Sequence, residues 1–488
     1  MSSVLRLPLL ALSIMAGIVA FTATAGLAGS MIAATAVAVT AAVAAIFALR
    51  KTTALDGAPV AIRRLFAIAA PLLIAQMLLT AAFVIDPDLT SWEPHPWTPQ
   101  RSNHSCVSSY WVAWDRISSV PDVYTEEIYS VPQRDPTVPR VPRSIGPLLI
   151  DQYEYPPAFL LLPRLIASAT GDFWDFRRVW FALNLAVVLA GMILIAARFD
   201  RKLGTHALWL TPFALIAPAV IITFVVGNIQ LMVIAMSMIA MLLFERGRYA
   251  AGGLVLAYAI ASKLYPGLLL FYLLLRRDWR AAAWTAIAAI AIVAISIADV
   301  GVAPYIAFAK HLPKLLSGEA FPAFRNPAAI AVNESIPGLA FKLKLFGVPH
   351  MGFAVSKVLG WIYTLVVIAL TARLALRPLH AGREPLAWIA ILILATMRSP
   401  FLPTYAVFPS LWLATLLAAL TWRRSAVFVT CIVAWGVLAF TFGTGAVPPV
   451  VNAIWTFVHT VATFVLVAIA LRRTLSGQQR EALTLAVA

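Results

Sequence analysis

Apolar runs without charge recur along this chain and repeatedly reach the roughly 18–20 residues that cross a bilayer as helix. Helix satisfies its own backbone hydrogen bonds where no water is at hand, so the pattern dictates an all-α polytopic membrane protein. The runs lie near 5–26, 29–49, 66–86, 178–197, 207–225, 228–245, 250–276, 281–299, 351–375, 385–398, 403–421, 425–443 and 450–471. They predict a bundle of about 12–14 transmembrane helices. Hydrophobic residues fill 61% of 488 positions and charged residues 12%, in agreement with that class. The first run is short enough to imitate a signal peptide, but a second follows almost at once, which favours a retained helical hairpin.

A net charge of +16 would point to nucleic acid in a soluble chain. Here Lys and Arg sit in short clusters between apolar runs, where they set topology, and no nucleic-acid partner is expected. The clusters are Arg50, Lys51, Arg63 and Arg64; Arg198, Arg201 and Lys202; Arg246 and Arg248; Arg276, Arg277 and Arg280; Arg373, Arg377 and Arg383; Arg423 and Arg424; and Arg472 and Arg473. One assignment puts all seven on the cytoplasmic side. It requires that the run from Tyr155 to about Ile166 stay at the outer interface. It also requires that the run 250–276 be broken, and Ala261-Ser-Lys263-Leu-Tyr265-Pro266 supplies the break: proline removes a ladder hydrogen bond beside a charge. The two cysteines, Cys106 and Cys431, have no metal-binding spacing and suggest no disulfide framework.

The same assignment gathers the remaining polar segments on the external face. First among them is the stretch Asp86–Pro157, rich in aromatics and Pro and too long for a structureless connection. It is read as a first external loop containing interfacial helices. Gly227-Asn228-Ile-Gln230, the break at Lys263, a second loop near 300–350 and Ser399-Pro400-Phe-Leu-Pro403 join it. The second loop carries Lys310, Lys314, Arg325, Lys342 and Lys344, against the positive-inside bias, and an anionic phosphate is their natural partner.

Tyr155-Pro-Pro157 with the apolar stretch to Pro163, the Gly-Asn-x-Gln turn, Lys263-x-Tyr-Pro266 ahead of Arg276-Arg277-Asp-Trp279-Arg280, and Asn333-Glu-Ser335 together resemble glycosyltransferase family 87. That family belongs to the GT-C superfamily, whose members take sugars from polyprenyl phosphate. The resemblance implies a GT-C-like catalytic membrane domain over 65–420, with external loops 87–177 and 300–350. Residues 1–64 would add an N-terminal hairpin and cytoplasmic linker, and 421–488 a C-terminal hairpin and tail. It implies inverting transfer of mannose or arabinofuranose from a polyprenyl-phosphate donor to a glycolipid or glycan acceptor, with a first-loop carboxylate as general base. Membrane lipids are the other partners, and an Ala-, Arg- and Trp-rich composition fits the inner membrane of a high-GC bacterium, the site facing outward.

The family pattern aligns its catalytic Asp near Cys106, which cannot act as a carboxylate. Asp86 and Asp88, where the third helix leaves the bilayer, then rank first as base, Asp115 beside Arg116 next and Glu334 last. Each also has a plain structural reading, as a helix end, a solvated pair or a loop residue. Donor and acceptor contacts are expected from Trp111, Trp114, Glu154, Tyr155, Asn228, Gln230, Lys263, Tyr265, Asn333 and Ser335. Asp151 and Glu154 could alternatively orient the loop, and Glu126 and Glu127 read as an exposed face. His311 and His350 have no partner at ligand spacing, so no metal is assigned; a divalent cation on Asp86 and Asp88 stays open, and no other cofactor is expected. A transporter, a lipid flippase, or a non-catalytic scaffold derived from a transferase are the alternatives. Broken helices with a membrane-depth Lys suit the first two, although no second copy of the break is found.

Overall fold

The apolar runs fold as helices, and Pro, Gly and capping Asp residues set where those helices start and stop. The computed structural model describes residues 6–49, 58–86, 104–131, 141–422, 425–442 and 447–475. The described residues are 77% helical with almost no sheet. Its helices among the described residues are α1 Arg6–Ala28, α2 Met31–Leu49, α3 Val60–Ile85, α4 Cys106–Arg116, α5 Leu161–Thr170, α6 Phe173–Arg198, α7 Arg201–Leu215, α8 Pro218–Val226, α9 Gln230–Glu245 and α10 Tyr249–Ser262. There follow α11 Gly267–Leu275, α12 Trp279–Val300, α13 Ala303–Ser317, α14 Pro327–Ala331, α15 Leu339–Leu345, α16 Phe353–Leu376, α17 Glu384–Thr396, α18 Phe408–Leu420, α19 Ser425–Ala439 and α20 Pro449–Leu475. Asp172, Asp200 and Asp278 cap α6, α7 and α12 by accepting backbone N–H bonds, each a contribution of about 1 kcal/mol.

Six of these helices are long and apolar enough to cross a membrane: α1, α3, α6, α12, α16 and α20. The pair α7 and α8, bent by 69°, makes a seventh if taken as one broken span. The expected 12–14 spans also counted shorter apolar helices, such as α2, α9, α10, α17, α18 and α19. The chain is a multi-pass membrane protein. Helix α10 ends where Lys263 turns extended (φ −148°, ψ 131°), and α11 begins one residue after Pro266, so the run 250–276 is interrupted at the expected place.

Two large apolar clusters divide the interior. One runs the length of the helix bundle through α3, α6 to α9, α17, α18 and α20. The other lies beneath the first loop and contains Tyr110, Tyr153, Phe159, Phe176 and Trp180, all buried. Tyr265 packs against both. At one end of the bundle Arg198 pairs with Glu245 (2.5 Å) and Glu384 (3.5 Å), tying α6, α9 and α17 together.

The first loop has a small three-stranded sheet of its own. Strand β1 (His104–Ser105) runs parallel to β3 (Leu148–Ile150), which pairs antiparallel with β2 (Ser144–Ile145). The register sets Ser105 opposite Ile150. It thereby places the start of α4 beside Asp151, across some forty residues of chain. One turn of 3-10 helix at Pro157–Leu160 and then α5 lead back to α6, and α5 is pinned to the end of α12 by Arg164 and Asp299 (2.5 Å).

Candidate active site

The Gly227-Asn228 turn is the floor of the site. Gly227 adopts φ 70°, and a Cβ there would lie 2.8 Å from the Val107 Cβ, so α8 can end against α4 only with glycine at this position. Trp180 Nε1 donates to the Gly227 carbonyl (2.8 Å), and Asn184 Nδ2 to that of Asn228 (3.3 Å). Asn228 Oδ1 accepts the Gln230 N–H (2.9 Å), which orients its amide nitrogen outward. That nitrogen lies 3.3 Å from Cys106 Sγ and 3.4 Å from the Tyr155 hydroxyl. Tyr110 donates to the same hydroxyl (3.0 Å) and accepts the Ile229 N–H (3.3 Å).

Lys263 reaches this floor from the break between α10 and α11. Its Nζ sits 5.4 Å from the centre of the Tyr155 ring, a cation–π approach, and within electrostatic range of Cys106 and Asp151. With a tyrosine face beside it and no carboxylate in an ion pair with it among the described residues, the Lys263 amine is placed to meet an anionic ligand.

Glu154 and His311 form a second polar pair, joining the first loop to α13 of the second. His311 Nε2 and Glu154 Oε2 are 2.5 Å apart, and Tyr124 stacks on the imidazole with ring centres separated by 4.8 Å. Glu154 Oε1 is buried and accepts no hydrogen bond among the described residues. Burial pushes the Glu154 carboxyl above the usual range; His311 pulls it down and Asp151 adds to the rise. The three-residue step from Asp151 to Glu154 is rigid: Tyr153 donates to the Pro156 carbonyl (2.8 Å), and Tyr124 to that of Tyr155 (2.9 Å).

A third group sits at the start of α4. His104 Nε2 lies 3.3 Å from Cys106 Sγ and 3.6 Å from Asp151 Oδ2. Asp151 and Cys106 favour charge on the imidazole and raise it to about 10.

The candidate residues read from the sequence separate into distinct places. Tyr155, Asn228 and Lys263 meet in one cluster, with Glu154 adjacent in the chain and Gln230 tied to Asn228. Tyr265 lies within the break between α10 and α11. Trp111 and Trp114 pack against each other (5.2 Å), and Trp111 against Phe173 and Phe176. Asp115 pairs with Arg116 (3.2 Å), both more than half exposed. Asn333 and Ser335 spend their polar atoms on a loop clasp: both donate to the Pro400 carbonyl, and Asn333 Oδ1 accepts the Leu402 N–H. Glu334 is buried and faces His459 at 2.7 Å. Asp86 ends α3, whose last carbonyls are held by Arg177 and Arg178, and Asp88 lies outside the described residues. Among the second-loop cations, Lys342 is buried against Thr456 and Arg325 faces Glu126 (3.7 Å), whereas Lys310, Lys314 and Lys344 are exposed.

His104, His311 and Asp151 are what reasoning along the chain missed. His311 meets Glu154 across 157 residues and His104 meets Asp151 across 47, pairings that no local spacing announces, although His104 also lies two residues from Cys106.

A broken membrane helix that sets a lysine against a tyrosine held by an asparagine amide defines a multi-pass membrane protein with a polar cluster at the break. Residues 153–404 match glycosyltransferase family 87, a span that takes in Glu154, Tyr155, Asn228, Lys263 and His311. The match covers just over half of the chain, which therefore belongs to glycosyltransferase family 87 and is a membrane glycosyltransferase. No curated protein and no solved structure matches it.

Proposed function

We propose that the enzyme transfers a sugar, mannose or arabinofuranose, from polyprenyl phosphate to a glycolipid or glycan acceptor at the external face, inverting the anomeric centre. The observation that carries this reading is the Glu154 carboxylate. One oxygen is fixed by His311, while the other is buried and unclaimed among the described residues, as a general base awaiting a hydroxyl would be. Glu154 takes the proton of the acceptor hydroxyl as its oxygen attacks the anomeric carbon. The bond to the donor phosphate breaks on the opposite face, and the electron pair leaves with the phosphate.

Lys263 faces the charge that grows on that phosphate. It acts on the transition state more than on ground-state binding, because the donor diester carries one negative charge and the departing monoester more. Tyr155 and the Asn228 amide supply the neutral wall against which donor oxygens are held. Asp86, favoured with Asp88 by sequence for the base, ends α3, and a direct comparison separates both from Glu154.

The test is transfer of radiolabelled sugar from synthetic polyprenyl-phosphate-mannose and polyprenyl-phosphate-arabinofuranose to membrane glycolipids by purified protein. Wild type is compared with Glu154→Gln, Asp86→Asn, Asp88→Asn, Asp115→Asn and Lys263→Ala. Loss in Glu154→Gln and Lys263→Ala alone is expected. Full transfer by Glu154→Gln with loss in Asp86→Asn or Asp88→Asn would move the base to the end of α3.

A further inference from the structure

The roles assigned above leave three donor groups at the start of α4 without a task. We infer that His104, Cys106 and Asp151 form a site for a zinc ion, with a fourth coordination position left open. Their ligand atoms, His104 Nε2, Cys106 Sγ and an Asp151 carboxylate oxygen, all lie within 4.8 Å of one another. The two edges that share the imidazole measure 3.3 Å to sulfur and 3.6 Å to oxygen. Tetrahedral zinc with bonds of about 2.0–2.3 Å sets its ligand atoms roughly 3.3–3.6 Å apart, so these edges are already at the required length. Both converge on the same ring nitrogen, which is the geometry of a shared central ion. In a relay of the hydrolase kind the thiol and the carboxylate would take opposite nitrogens of the ring.

The surroundings hold the donors as a metal site requires. The β1–β3 pairing fixes the separation of His104 from Asp151. The Gln152 N–H occupies Asp151 Oδ1 (3.0 Å) and leaves Oδ2 for the ion. The Asn228 amide, donating toward Cys106 Sγ, supports a sulfur that carries negative charge. Sulfur and imidazole together exclude magnesium and calcium, which take oxygen ligands, and select a borderline ion such as zinc. Three protein ligands are also the number that catalytic zinc sites keep, the fourth position taking water or an anionic oxygen. Asn228 touches both this cluster and Tyr155, so the ion would sit one side chain away from the tyrosine that Lys263 approaches. The inference stands on the donor geometry and needs neither the proposed donor nor the proposed base.

Full-length protein purified in detergent, stripped with chelator and dialysed against zinc chloride should retain zinc stoichiometrically. Cobalt chloride in its place should give the near-ultraviolet thiolate-to-cobalt absorption band. Cys106→Ser should abolish that band while Cys431→Ser keeps it, and His104→Ala and Asp151→Asn should weaken zinc binding by tenfold or more, ligand loss costing at least what loss of a supporting partner does. An unchanged elution profile and thermal midpoint in Cys106→Ser would show that the loss is local. A wild type that takes up no zinc, or a cobalt band that survives in Cys106→Ser, would overturn the site. Sugar transfer is measured on the same samples: zinc bound without transfer counts against the donor assigned above and supports the site, whereas transfer without zinc uptake does the reverse.

Discussion

Besides the His104–Asp151 contact, two glutamate–imidazole pairs among the described residues share one chemistry in opposite settings. Glu154 and His311 join the first loop to α13, with side chains 12% and 10% exposed, and one buried carboxylate oxygen unclaimed among the described residues. Glu334 and His459 join the second loop to α20, with side chains 7% and 0% exposed. Both His459 nitrogens are engaged, one by Glu334 and the other by the Phe440 carbonyl (3.0 Å), and the Glu334 backbone is clasped to Leu402 (2.7 Å). The difference teaches that burial and a histidine do not by themselves make a catalytic carboxylate. What distinguishes Glu154 is a buried carboxylate oxygen unclaimed among the described residues, whereas the partners of Glu334 are consumed in holding α20 to the loop.

The largest expected effect falls on the first pair. Glu154→Gln should lower kcat by about 10²–10⁴-fold, the usual contribution of a general base, with thermal stability nearly unchanged. Lys263→Ala should lower it by about 10²–10³-fold, as loss of a group that stabilises developing charge does. The second pair should respond the other way. Glu334→Gln or His459→Leu should cost about 3–5 kcal/mol of stability, the cost of stranding one partner of a buried pair, and should leave transfer per folded molecule close to wild type. A thermal melt followed by an assay corrected for folded fraction separates the two quantities.

A smaller effect sharpens the comparison through pH. The Glu154 carboxyl is raised by burial and by Asp151, and lowered by His311, the charged or titratable neighbours on the elements around it being Asp151, His311, Tyr124 and Tyr129. Because the base works only when ionised, activity should fall as pH drops through a value above that of an ordinary glutamate. His311→Asn removes the group that lowers it, so the acid limb should move to higher pH. A rate profile with an unmoved limb would deny the pair its role. The smallest effect belongs to Asp115→Asn: its pair with Arg116 is exposed, so less than about 1 kcal/mol of stability and little activity should be lost.

The helical framework was legible because it is a matter of length and periodicity: charge-free runs and the Lys263-Leu-Tyr-Pro266 break are written locally in the chain. Asn228 and Lys263 could be picked out because each sits at a helix end or turn where a polar residue is costly at membrane depth, and Tyr155 because it opens the Tyr155-Pro-Pro157 element. The pairings were not legible. Glu154 was readable as a polar residue before the Pro pair, but its partner His311 lies in another loop, and only the fold brings them together. Asn333 and Ser335 show the converse. Their tripeptide stands out in sequence, yet their side chains serve the turn Pro400 to Leu402. His104, Cys106 and Asp151 escaped any spacing rule because a parallel strand pairing, rather than a helix face, aligns them.

The most direct test of the account is the initial rate of sugar transfer from polyprenyl-phosphate donor by Glu154→Gln and Glu334→Gln, each corrected for its folded fraction. The account predicts a rate lowered by at least about a hundredfold in Glu154→Gln and close to wild type in Glu334→Gln. Equal loss in both, or loss in Glu334→Gln alone, would contradict it.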